Sequence, residues 1–530
     1  MLLLALVGFT GLLCASVIAD PVVKLDNATI SGFNDDSVSK FLGIPYAYPP
    51  TGQLRFRPPK ELGPYKSPIN ATVYGPACPQ QKLDSPFAGV LPSNATALLR
   101  LSPLFKDAAA ALAESEDCLS INVLRPSFVD ASHKLPVVVV RYACGFEVGY
   151  TEQYDGQAVR IVQRSVKLNQ PVVLVHMNYR YVSVLLTFGF LGGKEVYDEG
   201  VGNLGLVDQR AALRWVNKYI GQFGGDNSKV TLWGESAGAI SIAMQMLAYG
   251  GDTSGYFHAA FMQSGATLPV GSIKEGQVYY DFIVEQTGCK GNPDTLNCLR
   301  RVDYSSLALA YVPRADGLIL TDDPHKLVQS GLVAKIPIVS GNCDDEGTAF
   351  ALSSRNITSE DQFREYVNQF WIPKAPAKEL EPLWSLYTSN LPEGSPFNTG
   401  YLNGLTRQFK RMAAFQGDAF FQAPRRFFLK NLSGKQKIWS YLAKQLKWVP
   451  YLGSFHFSDL LVNLTDDYLI NFANKHDPNI GNGPAWPEYT AENPQLYTFP
   501  TLGSTPTVIL DNYRAEQFEF LTNISLKYPN

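Results

Sequence analysis

The five residues 234–238, Gly-Glu-Ser-Ala-Gly, constrain the architecture of this chain more than any other segment. A short run typical of a buried strand (229–233, KVTLW) comes directly before them, and an apolar helical run (AISIAMQML) follows. A strand that turns at once into a helix needs small residues beside the turn, and it lifts the central side chain above the sheet. Ser236 occupies that central position. The pattern therefore predicts a nucleophilic hydroxyl at the end of a strand.

Further apolar runs predict the layers around this turn. Residues 135–140, 171–177 and 335–340 have the continuous apolar character of strands that are buried on both faces. Residues 208–223 carry apolar side chains at helical spacing and end at two glycines. Buried strands that alternate with helices predict an α/β fold with a mostly parallel central sheet and helices on both faces.

A serine is a poor nucleophile unless a base, itself oriented by an acid, removes its proton. Where this turn occurs, the chain order is serine, then acid, then histidine. His325, His456 and His476 follow Ser236 at plausible distances. His325 starts a helical pattern, which favours a capping or surface role, and His476 lies in a polar turn, whereas His456 lies in a glycine-led loop. The acid is expected in residues 345–348 (DEGT), because they follow a predicted strand.

The first nineteen residues predict export. They form an apolar run without charged side chains, and Val17 and Ala19 place small residues before a cut at Asp20. This is the pattern of a secretory signal peptide, and the run is short for a membrane anchor, which is the alternative. No later stretch is long and apolar enough to span a membrane, so the mature chain is expected to lack a transmembrane segment.

Glycosylation sequons and charge agree with an extracellular protein. Asparagines that begin N-x-S/T occur at Asn27, Asn70, Asn94, Asn356, Asn431, Asn463 and Asn523. The chain has 45 Lys+Arg against 48 Asp+Glu, a formal charge of −3. That balance gives no support for a nucleic-acid partner.

An ordered series of motifs runs from about residue 41 to residue 487. It comprises FLGIPYAYPPTGQLRF (41–56), SEDCLSINV (115–123), NLGLVDQRAALRWV (203–216), FGGD (223–226), GESAGA (234–239), QSG (263–265), DEGT (345–348) and FANKHDPN (472–479). The series resembles the type-B carboxylesterase family, which includes cholinesterases and the large fungal lipases. The fungal lipase branch looks closest, because residues 78–118 resemble its lid segment.

The resemblance implies an α/β-hydrolase fold and hydrolysis of carboxylic esters without a cofactor or metal. It implies a triad of Ser236, Glu346 and His456. The positions that match the oxyanion donors are the backbone N–H groups of Cys144, Gly145 and Ala237. It also implies one domain over residues 20–530, with a lid-like segment at 78–118.

The remaining cysteines suit an exported protein. Cys14 leaves with the signal peptide. We expect disulfides Cys78–Cys118 and Cys289–Cys298, with Cys144 and Cys343 unpaired; a Cys144–Cys343 bond is the alternative. The cysteines lack the spacing to histidines that a zinc site needs.

The implied substrate is an apolar ester, met at a lipid–water interface. A short-chain esterase is one alternative. A catalytically impaired binding or adhesion protein of the same family is another, because the oxyanion loop departs from the family pattern. That loop usually reads W-I-Y-G-G-G-F, whereas residues 140–146 read VRYACGF, with Ala143 and Cys144 in place of two glycines. The chain also has an expansion at 181–188.

Overall fold

The computed structural model describes residues 19–80, 89–101, 113–141, 145–180, 189–302, 312–481 and 483–530. Their strands are β1 (Val22–Leu25), β2 (Ala28–Ser31), β3 (Phe33–Asp35), β4 (Val38–Pro45), β5 (Ile69–Asn70), β6 (Ser120–Pro126), β7 (Leu135–Arg141), β8 (Val173–Met177), β9 (Gly225–Glu235), β10 (Ala259–Gln263), β11 (Ile338–Cys343), β12 (Ile438–Ala443), β13 (Gln495–Phe499) and β14 (Thr507–Leu510).

The α-helices are α1 (Ser93–Leu101), α2 (Asp155–Lys167), α3 (Lys194–Glu199), α4 (Leu204–Tyr219), α5 (Ala237–Gly251), α6 (Gln277–Gln286), α7 (Thr295–Leu299), α8 (Pro324–Gln329), α9 (Thr348–Ala351), α10 (Glu360–Tyr366), α11 (Ala377–Leu386), α12 (Phe409–Gly417), α13 (Ala423–Leu432), α14 (Ser458–Leu461), α15 (Asp466–Lys475) and α16 (Ala515–Lys527). Short 3-10 turns span Gly52–Leu54, Thr151–Tyr154, Ile220–Phe223, Ile273–Gly276, Leu352–Ser354 and Leu391–Glu393, and π-helical turns span Val367–Trp371 and Asp418–Gln422.

The central sheet has eleven strands within the described residues, in the order β14-β13-β12-β11-β10-β9-β7-β8-β6-β4-β3. The seven strands from β13 to β8 are parallel to one another. The strands at both ends of the sheet pair antiparallel. The mostly parallel α/β sheet expected from the sequence is confirmed. Strands β1, β2 and β5 form a separate small sheet.

Helices cover both faces of the central sheet. Alternate valines of β7 point into different cores: Val137 and Val139 join the core that contains α4 and α5, whereas Val138 and Val140 join the core that contains α2 and α15. A third core is built by the helices between β11 and β12, together with α1 and α16. Most of this third core comes from the chain segment that connects the acid loop to the histidine loop described below.

Several element boundaries differ from the sequence prediction, and two of the differences have a clear cause. The strand expected at 335–340 begins at Ile338, because Pro337 has no N–H to donate to a ladder, and it continues to Cys343. The helix expected at 208–223 begins earlier, at Leu204, because Leu204 and Leu206 are buried and extend its apolar face. Its last four residues form the 3-10 turn that Gly224 ends in a left-handed conformation.

Candidate active site

Ser236 occupies a sharp turn between β9 and α5. Its φ of +55° and ψ of −127° lie in a region that residues with a Cβ rarely adopt. The neighbouring glycines are required by space: a Cβ on Gly234 would lie 2.6 Å from the carbonyl carbon of Gly238, and one on Gly265 would lie 2.6 Å from the carbonyl oxygen of Ser236. The backbone N–H of Ser236 donates to the carbonyl of Gln263 at 2.9 Å. The turn therefore has a strained backbone conformation, and it is possible only because positions 234 and 265 are glycines.

Glu346 and His456 form a direct hydrogen bond. Nδ1 of His456 lies 2.6 Å from Oε2 of Glu346, and both side chains are buried. Oε1 of Glu346 accepts from the backbone N–H of Cys343 at 2.7 Å and from the amide of Asn342 at 3.2 Å. With Nδ1–H donated to the carboxylate, the neutral ring leaves Nε2 free to accept a proton.

Asp345 binds different partners from its neighbour. Its Oδ2 accepts from the backbone N–H of Ser454 at 2.8 Å and from Nζ of Lys447 at 2.6 Å. Its Oδ1 accepts from the backbone N–H of Phe397 at 2.8 Å and from the hydroxyl of Ser395 at 3.0 Å. The carboxylate therefore ties the acid loop to the loop that carries the imidazole.

Nε2 of His456 faces a second carboxyl group. Oε1 of Glu235, the residue before Ser236, lies 3.2 Å from Nε2. Nε2 makes no hydrogen bond with the described residues, so the hydrogen bond between the imidazole and the Ser236 hydroxyl is not formed in this structure. Such bonds are often long in proteins without substrate and shorten when substrate binds. Burial, together with the charges of Asp459 and Glu346, raises the pKa of Glu235 well above its usual value.

A polar network behind β9 and β10 was missed by the sequence reasoning. The indole N–H of Trp233 donates to Gln263 at 2.6 Å, and the Gln263 amide donates to Asp459 at 3.0 Å. The hydroxyl of Tyr441 donates to the same Asp459 oxygen at 2.7 Å. The only signals for it were the QSG motif and an aspartate three residues after His456.

Aromatic rings flank the imidazole. The ring centroids of Phe350 and Phe421 lie 5.1 Å and 4.6 Å from that of His456. An apolar surrounding of low dielectric strengthens the bond between His456 and Glu346.

The expected oxyanion positions are described in part. Ala237 is the first residue of α5 and is buried. Gly145 has a φ of +62°, and Phe146, which follows it, has a φ of +60° and packs against Phe190 at 5.1 Å. Cys144 and Ala143 lie outside the described residues.

The other two candidate histidines lie elsewhere. His325 is buried in α8, against expectation of a surface position. Its Nε2 lies 3.1 Å from the carbonyl of Thr267, and burial lowers its pKa to about 4. The cap of α8 is Asp323, whose side chain accepts from the backbone N–H of His325. His476 ends α15 in a left-handed conformation.

Both expected disulfides, Cys78–Cys118 and Cys289–Cys298, are present in the structure. Cys343 is unpaired and buried, and Cys144 lies outside the described residues. Within the segment that the first disulfide closes, α1 is described, whereas 81–88 and 102–112 are not. Ala95 and Leu99 of α1 pack into the third core.

Comparison with known proteins identifies what this chain is similar to. A model of the carboxylesterase family matches residues 19–465. The chain is 41% identical to lipase 2 of Diutina rugosa, over 90% of this chain and 91% of that protein. It is 38% identical to secreted lipase 1 of Botryotinia fuckeliana, over 95% of this chain and 93% of that protein. The crystal structure of Aspergillus niger EstA matches with a TM-score of 0.80 at 25% identity, covering 96% of this chain and 99% of that one.

Proposed function

This chain belongs to the carboxylesterase family and is a carboxylic ester hydrolase, and we propose that it acts through Ser236, Glu346 and His456. The observation that carries the assignment is the 2.6 Å bond between buried Glu346 and His456, next to the strained turn at Ser236. An intact acid–base pair beside such a turn speaks against the alternative of an impaired binding protein.

The proposed reaction is acyl transfer to water. Nε2 of His456 takes the proton of the Ser236 hydroxyl as Oγ attacks the ester carbonyl. Nε2 then gives that proton to the departing alcohol, which leaves an acyl-enzyme. Water repeats the steps, with His456 again as base, and releases the acid. Glu346 holds the ring and stabilises its charged form.

Backbone N–H groups of Cys144, Gly145 and Ala237 are the proposed oxyanion donors. Each such donor is typically worth about 3–4 kcal/mol of transition-state stabilisation. Ala237 suits the role because it begins a helix, where backbone N–H groups are not used within the helix.

The proposed substrates are esters of apolar acids at a lipid–water interface. One relative is named a secreted triacylglycerol lipase, from Gibberella zeae, 37% identical over 95% of this chain and 90% of that protein. The aromatic rings beside His456 are compatible with an apolar acyl chain. We further propose that residues 78–118 form a lid over this region.

The protein is secreted, in keeping with the relatives named as secreted lipases. We propose that residues 1–19 are removed and that 20–530 form one domain. The sequon asparagines suit this location: six are exposed and Asn431 is half-buried. No helix of the described residues is long and apolar enough to cross a membrane.

A fluorophosphonate probe tests the nucleophile. Wild type should be labelled at Ser236, and Ser236→Ala should lose both the label and at least about 10³-fold of ester hydrolysis. Ser264→Ala is the matched control, because Ser264 is also buried and left-handed at the end of the neighbouring strand. Folded wild type that takes no label, or takes it elsewhere, would overturn the assignment.

A chain-length series of p-nitrophenyl esters and triglycerides, run below and above substrate solubility, tests the substrate. A lipase should prefer longer acyl chains, and its rate should rise further once an interface forms. A preference for acetate or butyrate esters without that rise would identify a short-chain esterase.

A further inference from the structure

A cavity lies beside the acid loop. It has a volume of about 650 Å³, within the range of small-molecule sites. Asp344 contributes to its wall, two residues before Glu346, whereas Ser236, Glu346 and His456 are not among the described residues that line it. The cavity is thus separate from the proposed active site but shares a loop with it.

One part of the wall is apolar. It is formed by Leu386, Phe397, Leu442, Ile509 and Leu510. Leu510 belongs to β14, which is an edge strand of the central sheet, and its side chain is 49% exposed. The apolar wall therefore reaches solvent and could receive a hydrocarbon chain from outside.

The other part of the wall carries charges, most of which have partners. Arg514 bonds Asp418 at 2.8 Å. Arg411 contacts Glu360, and Asp344 lies 2.7 Å from Lys447. Glu393, the other lining acid, accepts from Thr388 and Asn390.

Lys444 is the exception among these cations. It directly follows β12, lines the cavity and is half-buried. It makes no direct ion pair with a described residue but acts on Asp344 at longer range: burial would raise the pKa of that carboxyl group, and the charges of Lys447 and Lys444 lower it. Arg411 adds a further unused donor, because its buried Nε makes no hydrogen bond with the described residues. An anion placed here would meet a positive group and would gain bonds that the protein itself does not make.

We propose that this cavity binds a free fatty acid, with the carboxylate on Lys444 and the chain along Leu442, Ile509 and Leu510. The identity of the ligand rests on the proposed function, since hydrolysis of an apolar ester releases such an acid. The bound acid would contact the loop that ends in Glu346. The site would thus hold product away from Ser236, next to a segment on which the proposed triad depends.

The test measures binding with the active site already filled. The enzyme is first labelled with a p-nitrophenyl dodecylphosphonate ester, from which Ser236 displaces p-nitrophenolate, so that an alkyl chain is placed in the proposed acyl site. Binding of dodecanoate, below its critical micelle concentration, is then measured by calorimetry. We expect one saturable site, and at least tenfold weaker binding in Lys444→Met and in Leu510→Asn. Dodecanol should bind wild type at least tenfold more weakly than dodecanoate.

Lys437→Met is the matched control, since Lys437 is an exposed lysine at the opposite end of β12, and it should bind like wild type. Absence of a saturable site, or equal affinity in Lys444→Met, would overturn the proposal. Failure of the phosphonate to react would instead count against the proposed function, and the same titration would then be run on Ser236→Ala.

Discussion

Two adjacent carboxylates, Asp345 and Glu346, contact different groups although both are buried. Glu346 contacts the imidazole, whereas Asp345 accepts four hydrogen bonds. Two of them, from Lys447 and Ser454, join the acid loop to the residues before His456, and two join it to residues 395–397. Glu346 can therefore orient the imidazole during the reaction, whereas Asp345 holds the acid loop in position. The position of the DEGT motif after a strand left open which of the two would face the histidine, whereas the family resemblance implied Glu346.

Glu346→Gln should lower kcat by about 10³–10⁴-fold with little loss of stability. The glutamine oxygen can still accept from Cys343, but its NH₂ group would face Nδ1 and favour the ring tautomer with the proton on Nε2. That tautomer cannot accept the proton of Ser236. Steady-state kinetics on a soluble ester and a thermal melt measure the two effects.

Asp345→Asn should show the opposite result, with a large loss of stability and a smaller loss of kcat. An amide in this position leaves donors such as Ser454 N–H and Lys447 facing an NH₂ group, at a cost of about 3 kcal/mol in the free energy of unfolding. A folded Asp345→Asn protein with the larger loss of kcat, beside an active Glu346→Gln protein, would mean that the acid is assigned to the wrong residue.

The residues of the proposed triad could be selected from the sequence because each lies in a local motif with a fixed order along the chain. The contact of Glu235 with His456 could not, because it depends on how β9 and the loop after β12 meet in space. Asp459 and Gln263 escaped prediction for the same reason: their bond joins residues 196 positions apart.

At the scale of elements, strand and helix interiors were predictable from apolar periodicity, and their ends were decided by single residues. Pro337 delays the start of β11, and Asp323 starts α8 by accepting from the N–H groups of His325 and Lys326. The second case puts a carboxyl group at a buried helix end, where its ionisation affects stability.

Asp323→Asn should stabilise the protein above pH 4. Burial raises the pKa of Asp323 to about 6, although its bonds to backbone N–H groups lower it. A raised pKa means that its contribution to stability is complete below its usual value of 3.8 and is lost as pH rises through about 6. Asparagine keeps the cap without ionising. As the pH rises from 4 to 7, the free energy of unfolding of the variant should therefore increase by about 2 kcal/mol relative to that of wild type.

Urea unfolding of both proteins at several pH values measures this gain. His325 titrates in the same range, but it is present in both proteins and largely cancels in the difference. A difference that stays constant with pH would show that Asp323 ionises in the folded protein as easily as in the unfolded chain.

At the scale of the whole molecule, a buried ion cluster joins the end of edge strand β14 to helix α13. Asp511, directly after β14, accepts from Arg425 and Arg426 of α13 and from Tyr489. The cluster links chain segments that are far apart in sequence, which is why motif order and periodicity gave no indication of it. It also fixes the edge of the sheet that borders the proposed fatty-acid cavity.

Asp511→Asn should therefore be costly, at about 3–5 kcal/mol in the free energy of unfolding, because two buried guanidinium groups lose their charged partner. Asp467→Asn is the matched control. Asp467 also pairs with an arginine, Arg164, through two bonds of 2.6 Å, but both side chains are partly exposed. Its loss should therefore cost less than about 1 kcal/mol in the free energy of unfolding.

The pH dependence of stability distinguishes the Asp511 variant further. Burial alone would raise the pKa of Asp511, but Arg425 and Arg426 lower it to about 2, so its contribution is present above 3.8 and is lost as pH falls through about 2. Urea titrations at pH 7 and at pH 3 measure both effects: the gap between wild type and Asp511→Asn should narrow at pH 3, and equal costs for the two variants at pH 7 would show that the buried cluster does not hold β14 to α13.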